Sequence, residues 1–288
     1  MKTFQKVILF SAIALISVIK VQAADLISAK AFGEALKSNK NLVVIDVNTA
    51  ENYAKVHVQG AVNIPHQDLY KPGDVKGLIK SPEDLAKIFG SNGVSADKSI
   101  VIYDDGSNKY SSRVYWILKY LGASDVKILH KDMDQWKVAR IPVTRAATKP
   151  AAVTFTPKVN SAIYVSMADV KAKQKNSGTI IIDARSIEQF KGVDEKGESK
   201  GHIEGAVNIP YTDLLTDKGA YKSAEQIKQI VSSKGVAKDK EIIVYCNTGI
   251  WAAVVYTALN SVLEYPNVKV YDGSYVEWVA GNNPITKN

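Results

Sequence analysis

The 288 residues predict an α/β protein of two tandem domains, each a mostly parallel sheet flanked by helices. Three observations carry this. A block from Leu42 to Leu69, LVVIDVNTAENYAKVHVQGAVNIPHQDL, returns from Thr179 to Leu214 as TIIIDARSIEQFKGVDEKGESKGHIEGAVNIPYTDL, so one domain-sized unit occurs twice. Strands such as Val43-Val44-Ile45 and Ile180-Ile181-Ile182 are apolar throughout, as expected when helices cover both faces of a sheet. In each copy, short apolar strands alternate with helical patterns, the order of an α/β sheet.

Residues 1–23 stand apart from this pattern. Lys2 and Lys6 precede an apolar run from Val7 to Ile19, Lys20 interrupts it, and Val21-Gln22-Ala23 forms a cleavage-like pattern before Ala24. The run is too short for a comfortable membrane span and reads as a secretory signal peptide, with a retained anchor as the alternative. No later stretch is long and apolar enough to span a bilayer. The mature chain is therefore expected to be periplasmic or secreted, with no stable membrane insertion after signal cleavage. Formal net charge is +8, and taking away Lys2, Lys6 and Lys20 leaves +5. The lysines are scattered among acids, without a dense basic run or interleaved aromatics, so no nucleic-acid partner is expected. A composition 46% hydrophobic is ample for two cores of ordinary size.

Each copy proceeds in the same order. A β-branched strand ends in Asp (Asp46, Asp183), and a Glu-bearing helical turn, a His (His57, His202) and the string GAVNIP follow. Ser81-Pro82-Glu83 and Ser223-Ala224-Glu225 signal a helix start. Ile100 to Tyr103 and Ile242 to Tyr245 read as a second strand. A third strand then leads to a tryptophan, Val126 to Trp136 and Val268 to Trp278. These marks place the first domain at 24–142 and the second at 163–288. The segment 143–162, rich in Thr, Ala and Pro and without sustained periodicity, is the linker between them.

The copies differ at the end of the second strand. Tyr245 leads into Cys246, the only cysteine, then Asn247, Thr248, Gly249, Ile250, Trp251 and Ala252, then an Ala/Val-rich helical segment. A buried strand ending in a tight loop that opens a helix is the layout of an anion-binding site, because free N–H groups point inward with partial positive charge. A thiol placed there should have its thiolate favoured. A single cysteine in an exported chain makes no intrachain disulfide; it is an inert core residue, a partner for another chain, or a free reactive thiol. In the first copy Asp104 stands where the cysteine would be (246 − 104 = 142), at the same offset as Trp136 and Trp278.

The duplicated D-x-[RN]…E…GHI-x-GA-x-NIP pattern, with a strand-end cysteine loop in the second copy alone, resembles the tandem-domain rhodanese sulfurtransferases of the thiosulfate and 3-mercaptopyruvate sulfurtransferase kind. The specific match is GHIEGAVNIP from Gly201 to Pro210, and the similarity covers essentially all of the mature chain. The resemblance implies two rhodanese-like domains, a catalytic second one and a first one that has lost its nucleophile. It implies that Cys246 attacks the outer sulfur of a small anionic donor, carries that sulfur as a persulfide and yields it to a thiol or cyanide acceptor. This is ping-pong covalent catalysis that needs no metal and no organic cofactor. The amides of Asn247, Thr248, Gly249, Ile250, Trp251 and Ala252 would hold the terminal sulfur, aided by the helix dipole. Arg185 stands where the first copy has Asn48 and would orient an anionic donor. His57 and His202 occur in both copies and are expected to be architectural. Asp46 and Asp183 are expected to fix loops, and Asn63-Ile64-Pro65 and Asn208-Ile209-Pro210 to supply turns. Arg113 either reaches across the domain interface or has a surface or salt-bridge role.

The chain departs from the family inside the loop. Many members carry Arg or Lys there, often an Arg at the sixth place counting the cysteine as first; here Trp251 occupies it and the loop has no cation. That argues against the related phosphatase chemistry and puts thiosulfate as the physiological donor in question; Trp251 either walls a pocket for a less charged donor or packs against the first domain. The leading expectation is a sulfurtransferase acting on thiosulfate, mercaptopyruvate or polysulfide. The alternative is a periplasmic carrier that hands polysulfide sulfur to a sulfur-metabolism partner with little thiosulfate turnover. A scaffold built on a decayed fold is the third reading.

Overall fold

The computed structural model describes residues 25–130, 138–195, 197 and 199–287. The segment read as a signal peptide and Trp136 lie outside the described residues.

The first unit contains β1 (Leu26–Ile27), α1 (Ala29–Ser38), β2 (Leu42–Asp46), α2 (Ala50–Lys55), β3 (His57–Val58), β4 (Val62–Asn63), α3 (Pro82–Ser91), β5 (Ser99–Tyr103), α4 (Lys109–Tyr120), β6 (Val126–Leu129) and β7 (Val143–Thr144). Its sheet runs β1-β6-β5-β2-β4, parallel at every pairing. The second unit contains β8 (Tyr164–Val165), α5 (Met167–Lys173), β9 (Thr179–Asp183), α6 (Ile187–Lys191), β10 (His202–Ile203), β11 (Val207–Asn208), α7 (Ala224–Ser233), β12 (Glu241–Tyr245), α8 (Ile250–Thr257), β13 (Val268–Tyr271), α9 (Ser274–Ala280) and β14 (Ile285–Thr286). Its sheet runs β8-β13-β12-β9-β11, again wholly parallel and in the equivalent order. Each unit is thus a parallel five-stranded sheet flanked by helices, and in each the central strand is the one that leads directly into Asp104 or Cys246.

Local chemistry sets the helix starts. Ser81 accepts a hydrogen bond from the Asp84 amide with Pro82 at the first helical position, and Ser223 forms a capping box with Gln226. The two-residue strands at the sheet edges carry no legible pattern in the sequence, and β4 and β11 lie inside the repeated GAVNIP string. Segment 143–162 lies along the first unit. Val143–Thr144 pairs with His57–Val58, the Val153 amide donates to Gly90 O at 2.9 Å, and the Lys158 amide donates to Leu121 O at 2.9 Å.

The two units meet through their equivalent helices α4 and α8. Residues Ser111 to Leu118 of α4 and Ala252 to Thr257 of α8 are buried, so both helices are covered on every side. One apolar cluster runs through Val114, Ile117 and Leu118 of the first unit and Ala253, Val254 and Leu259 of the second. Each such large apolar side chain contributes roughly 1.5–3 kcal/mol on burial, which makes the interface part of the core. The backbone contact is reciprocal: a Cβ on Gly77 would lie 2.3 Å from Thr248 O, and one on Gly219 would lie 2.3 Å from Gly106 O. Only glycine admits that approach, and both residues have positive φ, +86° and +80°.

Candidate active site

Cys246 follows directly on β12 and is 1% exposed. Helix α9 splints its backbone. The Cys246 amide donates to Ser274 Oγ at 3.2 Å, Ser274 Oγ donates to Tyr271 O at 2.8 Å, and Cys246 O accepts from the Tyr275 amide at 3.0 Å. Asn247 O accepts from the Val276 amide at 3.1 Å. Ser274 reaches this position with φ +54°, a left-handed conformation that costs a non-glycine residue about 1 kcal/mol.

Past the cysteine the chain turns on Gly249, which has φ +80° and opens α8. The turn brings the amides of Ala252, Thr248 and Trp251 onto the sulfur. The thiol is nevertheless pushed above its ordinary value. Burial is the largest cause, and the three amides and the Arg113 guanidinium pull the other way. The sequence led us to expect a favoured thiolate; the loop has the donors for one, but sealing it from water outweighs them.

The first unit holds a filled version of the same cradle. The Asp104 carboxylate accepts from the Gly106 amide at 2.7 Å and the Asn108 amide at 3.3 Å through Oδ1. Through Oδ2 it accepts from the Tyr110 amide, the Ser111 amide and Ser111 Oγ, each at 3.1 Å. Gly106 and Tyr110 are the counterparts of Thr248 and Ala252, so the same turn surrounds a carboxylate in one copy and a thiol in the other.

Two cavities open beside the loop, and Asn247 lines both. The larger, about 490 Å³, is walled by Trp251 stacked on Tyr211 at 5.1 Å. Glu188, Asp194 and Glu195 also line it, and no Lys or Arg does among the described residues. The second, about 440 Å³, is bounded by Tyr275, Val276, Val279 and Ala280. Of the loop residues, Asn247 and Trp251 face a mouth and Ile250 begins the helix. Thr248 and Ala252 serve the sulfur through their amides, and Gly249 turns the chain.

Arg185 is placed differently from the sequence expectation. Its side chain is wholly buried and lines neither mouth. Nε bonds both Asp183 oxygens at 3.0 and 3.1 Å, Nη2 bonds Asp183 Oδ2 at 2.7 Å and Gly201 O at 2.8 Å, and Nη1 bonds Ser199 Oγ at 3.0 Å. The guanidinium lies 3.7 Å from the centroid of the Tyr275 ring, behind the wall of the second mouth. An arginine two residues from a strand-end aspartate closes on that aspartate before it reaches the donor side. Asp183 also accepts from Tyr245 Oη at 2.6 Å.

The two histidines sit in matching structural roles. His57 stacks on Tyr53 at 3.6 Å with Nδ1 2.7 Å from Tyr53 O, and His202 stacks on Phe190 at 3.7 Å with Nδ1 2.9 Å from Phe190 O. Asn63 and Asn208 each donate from Nδ2 to two carbonyls of the preceding loop. Arg113 reaches across the interface: it is fully buried, pairs with Asp272, and donates to Gly249 O at 3.3 Å and Gly77 O at 2.8 Å. Ser274, Tyr275, Asp272 and Tyr211 were not singled out from the sequence. The signal available was the Asp-Gly-Ser run after the third strand of the second copy, which departs from the His-Lys-Asp of the first. Among the described residues no cluster of three His, Cys, Asp or Glu could hold a metal, and no helix is long and apolar enough to cross a membrane.

Comparison with known proteins agrees with this arrangement. The model of the rhodanese-like domain matches residues 28–139 and again residues 166–281. A Synechococcus elongatus protein provisionally named a thiosulfate sulfurtransferase is 33% identical over 260 residues, 86% of this chain and 81% of the relative. The 3-mercaptopyruvate sulfurtransferase of Escherichia coli K12 is 34% identical over 239 residues, 82% of this chain and 84% of the relative. Among solved structures, SseA from Escherichia coli, described with the fold and mechanism of 3-mercaptopyruvate sulfotransferases, aligns with a TM-score of 0.78 at 30% identity. The alignment covers 87% of this chain and 98% of that one.

Proposed function

The chain belongs to the rhodanese family and is an enzyme of the sulfurtransferase class, and we propose that it transfers sulfane sulfur through a persulfide on Cys246. In the first half-reaction a Cys246 sulfur lone pair attacks the donor's outer sulfur and forms a new S–S bond. With thiosulfate the old S–S bond breaks and its electron pair leaves on sulfite. With mercaptopyruvate the C–S bond breaks and its pair leaves as the pyruvate enolate, which takes up a proton. In the second half-reaction a thiolate or cyanide attacks the terminal sulfur and Cys246 departs as thiolate.

The observation that supports this most strongly is Asp104, whose carboxyl oxygens are held by the amides of the corresponding loop even though burial pushes its pKa upward. A turn that holds a carboxylate in one copy is suited to hold a negatively charged terminal sulfur in the other. The relatives named as sulfurtransferases weigh toward turnover, while a Thermus thermophilus relative, 31% identical over 238 residues, is named a sulfur carrier protein. For the donor, a mouth lined by Glu188 and Glu195 and walled by Trp251 favours a molecule with less negative charge than thiosulfate. Arg185 supports the site from behind Tyr275.

The test is steady-state formation of thiocyanate from cyanide by the purified protein with thiosulfate, mercaptopyruvate and polysulfide in turn. Cys246→Ser should fold and lose all turnover with each donor, and turnover that survives it would defeat the proposal. A location outside the cytoplasm rests on the pattern of residues 1–23, and amino-terminal sequencing of protein recovered from cell fractions tests it.

A further inference from the structure

The contact between the domains is reciprocal in its backbone and one-sided in its charge. Gly77 seats on Thr248 O, and its counterpart Gly219 seats on Gly106 O. On the cysteine side a buried ion pair is added. Arg113, from α4 of the cysteine-free domain, donates to Gly249 O, Gly77 O and Asp272 Oδ1. The other Asp272 oxygen accepts from the Ile79 amide at 3.1 Å. The guanidinium lies directly against the turn of the catalytic loop, since a Cβ on Gly249 would sit 3.1 Å from Nη1 and 3.3 Å from Cζ. At the offset that relates the copies, Val255 stands for Arg113 and His130 for Asp272, so the arginine–aspartate pair does not recur beside the loop of Asp104.

A device needed only to dock the domains would serve either side. This one is costly: Arg113 is wholly buried, and its Nε has no hydrogen-bond partner among the described residues. Gly77 O and Gly249 O could be satisfied by a neutral donor. What a neutral donor lacks is a positive charge beside the sulfur. We propose that Arg113 is a positioning residue of the catalytic loop, lent by the cysteine-free domain. It holds the Gly249 carbonyl outward, so that the Trp251 and Ala252 amides stay aimed at the sulfur, and its charge favours the anionic sulfur of thiolate and persulfide. The cysteine-free domain is then an electrostatic part of the active site. The persulfide half of this rests on the function proposed above. The titratable groups around the pair and the sulfur are Asp272 after β13, Tyr70 and His66 before α3, Tyr110 and Tyr120 of α4, Tyr164 of β8, Tyr271 of β13, and Tyr211 across the mouth. Arg113 supplies the positive charge among them.

The experiment follows the pH dependence of Cys246 alkylation by iodoacetamide in the parent protein, Arg113→Met, Arg113→Lys and Asp272→Asn, with urea unfolding to verify that each is folded. Arg113→Met should move the profile up by about one pH unit, so that alkylation below it is about ten times slower. Arg113→Lys should restore most of the shift, and Asp272→Asn, which leaves the guanidinium unopposed, should move the profile down. Folded Arg113→Met with the parent's profile would overturn the proposal. Should Arg113→Met not fold, an unchanged profile in folded Asp272→Asn would overturn it equally. Alkylation reads the bare thiol, so it reports on Arg113 even if no sulfur is ever found on Cys246, a result that would strike the function proposal instead.

Discussion

Asp104 and Cys246 occupy the same place in two copies of one turn, and equivalent amides, those of Gly106 and Thr248 and of Tyr110 and Ala252, close on both. The first copy is therefore a record of what the loop is built to hold. Its carboxylate has become structural, with five donors within 3.3 Å.

Asp104→Ala would leave those buried amides without an acceptor. Unpartnered buried donors cost about 1–3 kcal/mol each where water cannot reach them, and partial relaxation should hold the total to about 3 kcal/mol. Urea unfolding measures it, with Cys246 turnover retained at temperatures where the variant is folded. A loss below about 1 kcal/mol would mean that the cradle does not depend on its anion.

Arg185→Ala should be dominated by stability. Removing one partner of a buried ion pair costs about 3–5 kcal/mol because the remaining charge, here Asp183, is left without its partner. Arg185→Asn copies the first unit, where Asn48 donates from Nδ2 to Asp46 Oδ1 at 2.8 Å, and should recover part of that loss. Denaturant midpoints of the two variants check the order; equal midpoints would contradict it.

How much of this was legible in the sequence depends on whether a residue's partners were close in the chain or repeated. The duplication exposed the two sheets, the cysteine turn and the structural histidines, because each copy served as the control for the other. Arg185 misled because the sequence displays its presence beside the cysteine copy but hides Ser199 and Gly201, which absorb its donors. The roles of Asp272 and Gly77 were not legible, since each depends on a residue of the other domain and no local pattern encodes a contact between domains. The edge strands were missed because two residues carry no periodicity.

His66 supplies a pH dependence. Burial, reinforced by the nearby Arg113 charge, lowers its pKa to about 4, and its ring stacks on Tyr110 at 3.8 Å with Nδ1 3.0 Å from Tyr70 Oη. In the unfolded chain the ring takes a proton near pH 6.5, whereas the folded protein resists protonation until about pH 4. The stability it supports is thus complete above pH 6.5 and is lost as pH falls toward 4, by about 3 kcal/mol. His66→Gln should be less stable than the parent at pH 7.5 and lose less between pH 7 and 4.5; parallel curves would contradict the assignment.

Trp251 should govern donor charge. Trp251→Arg places a cation at a mouth lined by Glu188 and Glu195, and should raise kcat/KM for thiosulfate, a dianion, about tenfold relative to mercaptopyruvate, a monoanion. Trp251→Ala removes the stack on Tyr211 without adding charge and should leave that ratio within about twofold. A ratio unmoved by Trp251→Arg would remove electrostatics of the mouth from the account.

The central claim is that Cys246 carries the transferred sulfur. Its most direct measurement is mass spectrometry of the peptide containing Cys246 after brief exposure to thiosulfate, mercaptopyruvate or polysulfide and trapping with an alkylating agent. The account predicts a mass gain of one sulfur atom with at least one donor, removed by cyanide with stoichiometric release of thiocyanate. A folded protein whose Cys246 gains no sulfur from any of the three while turnover proceeds would contradict it.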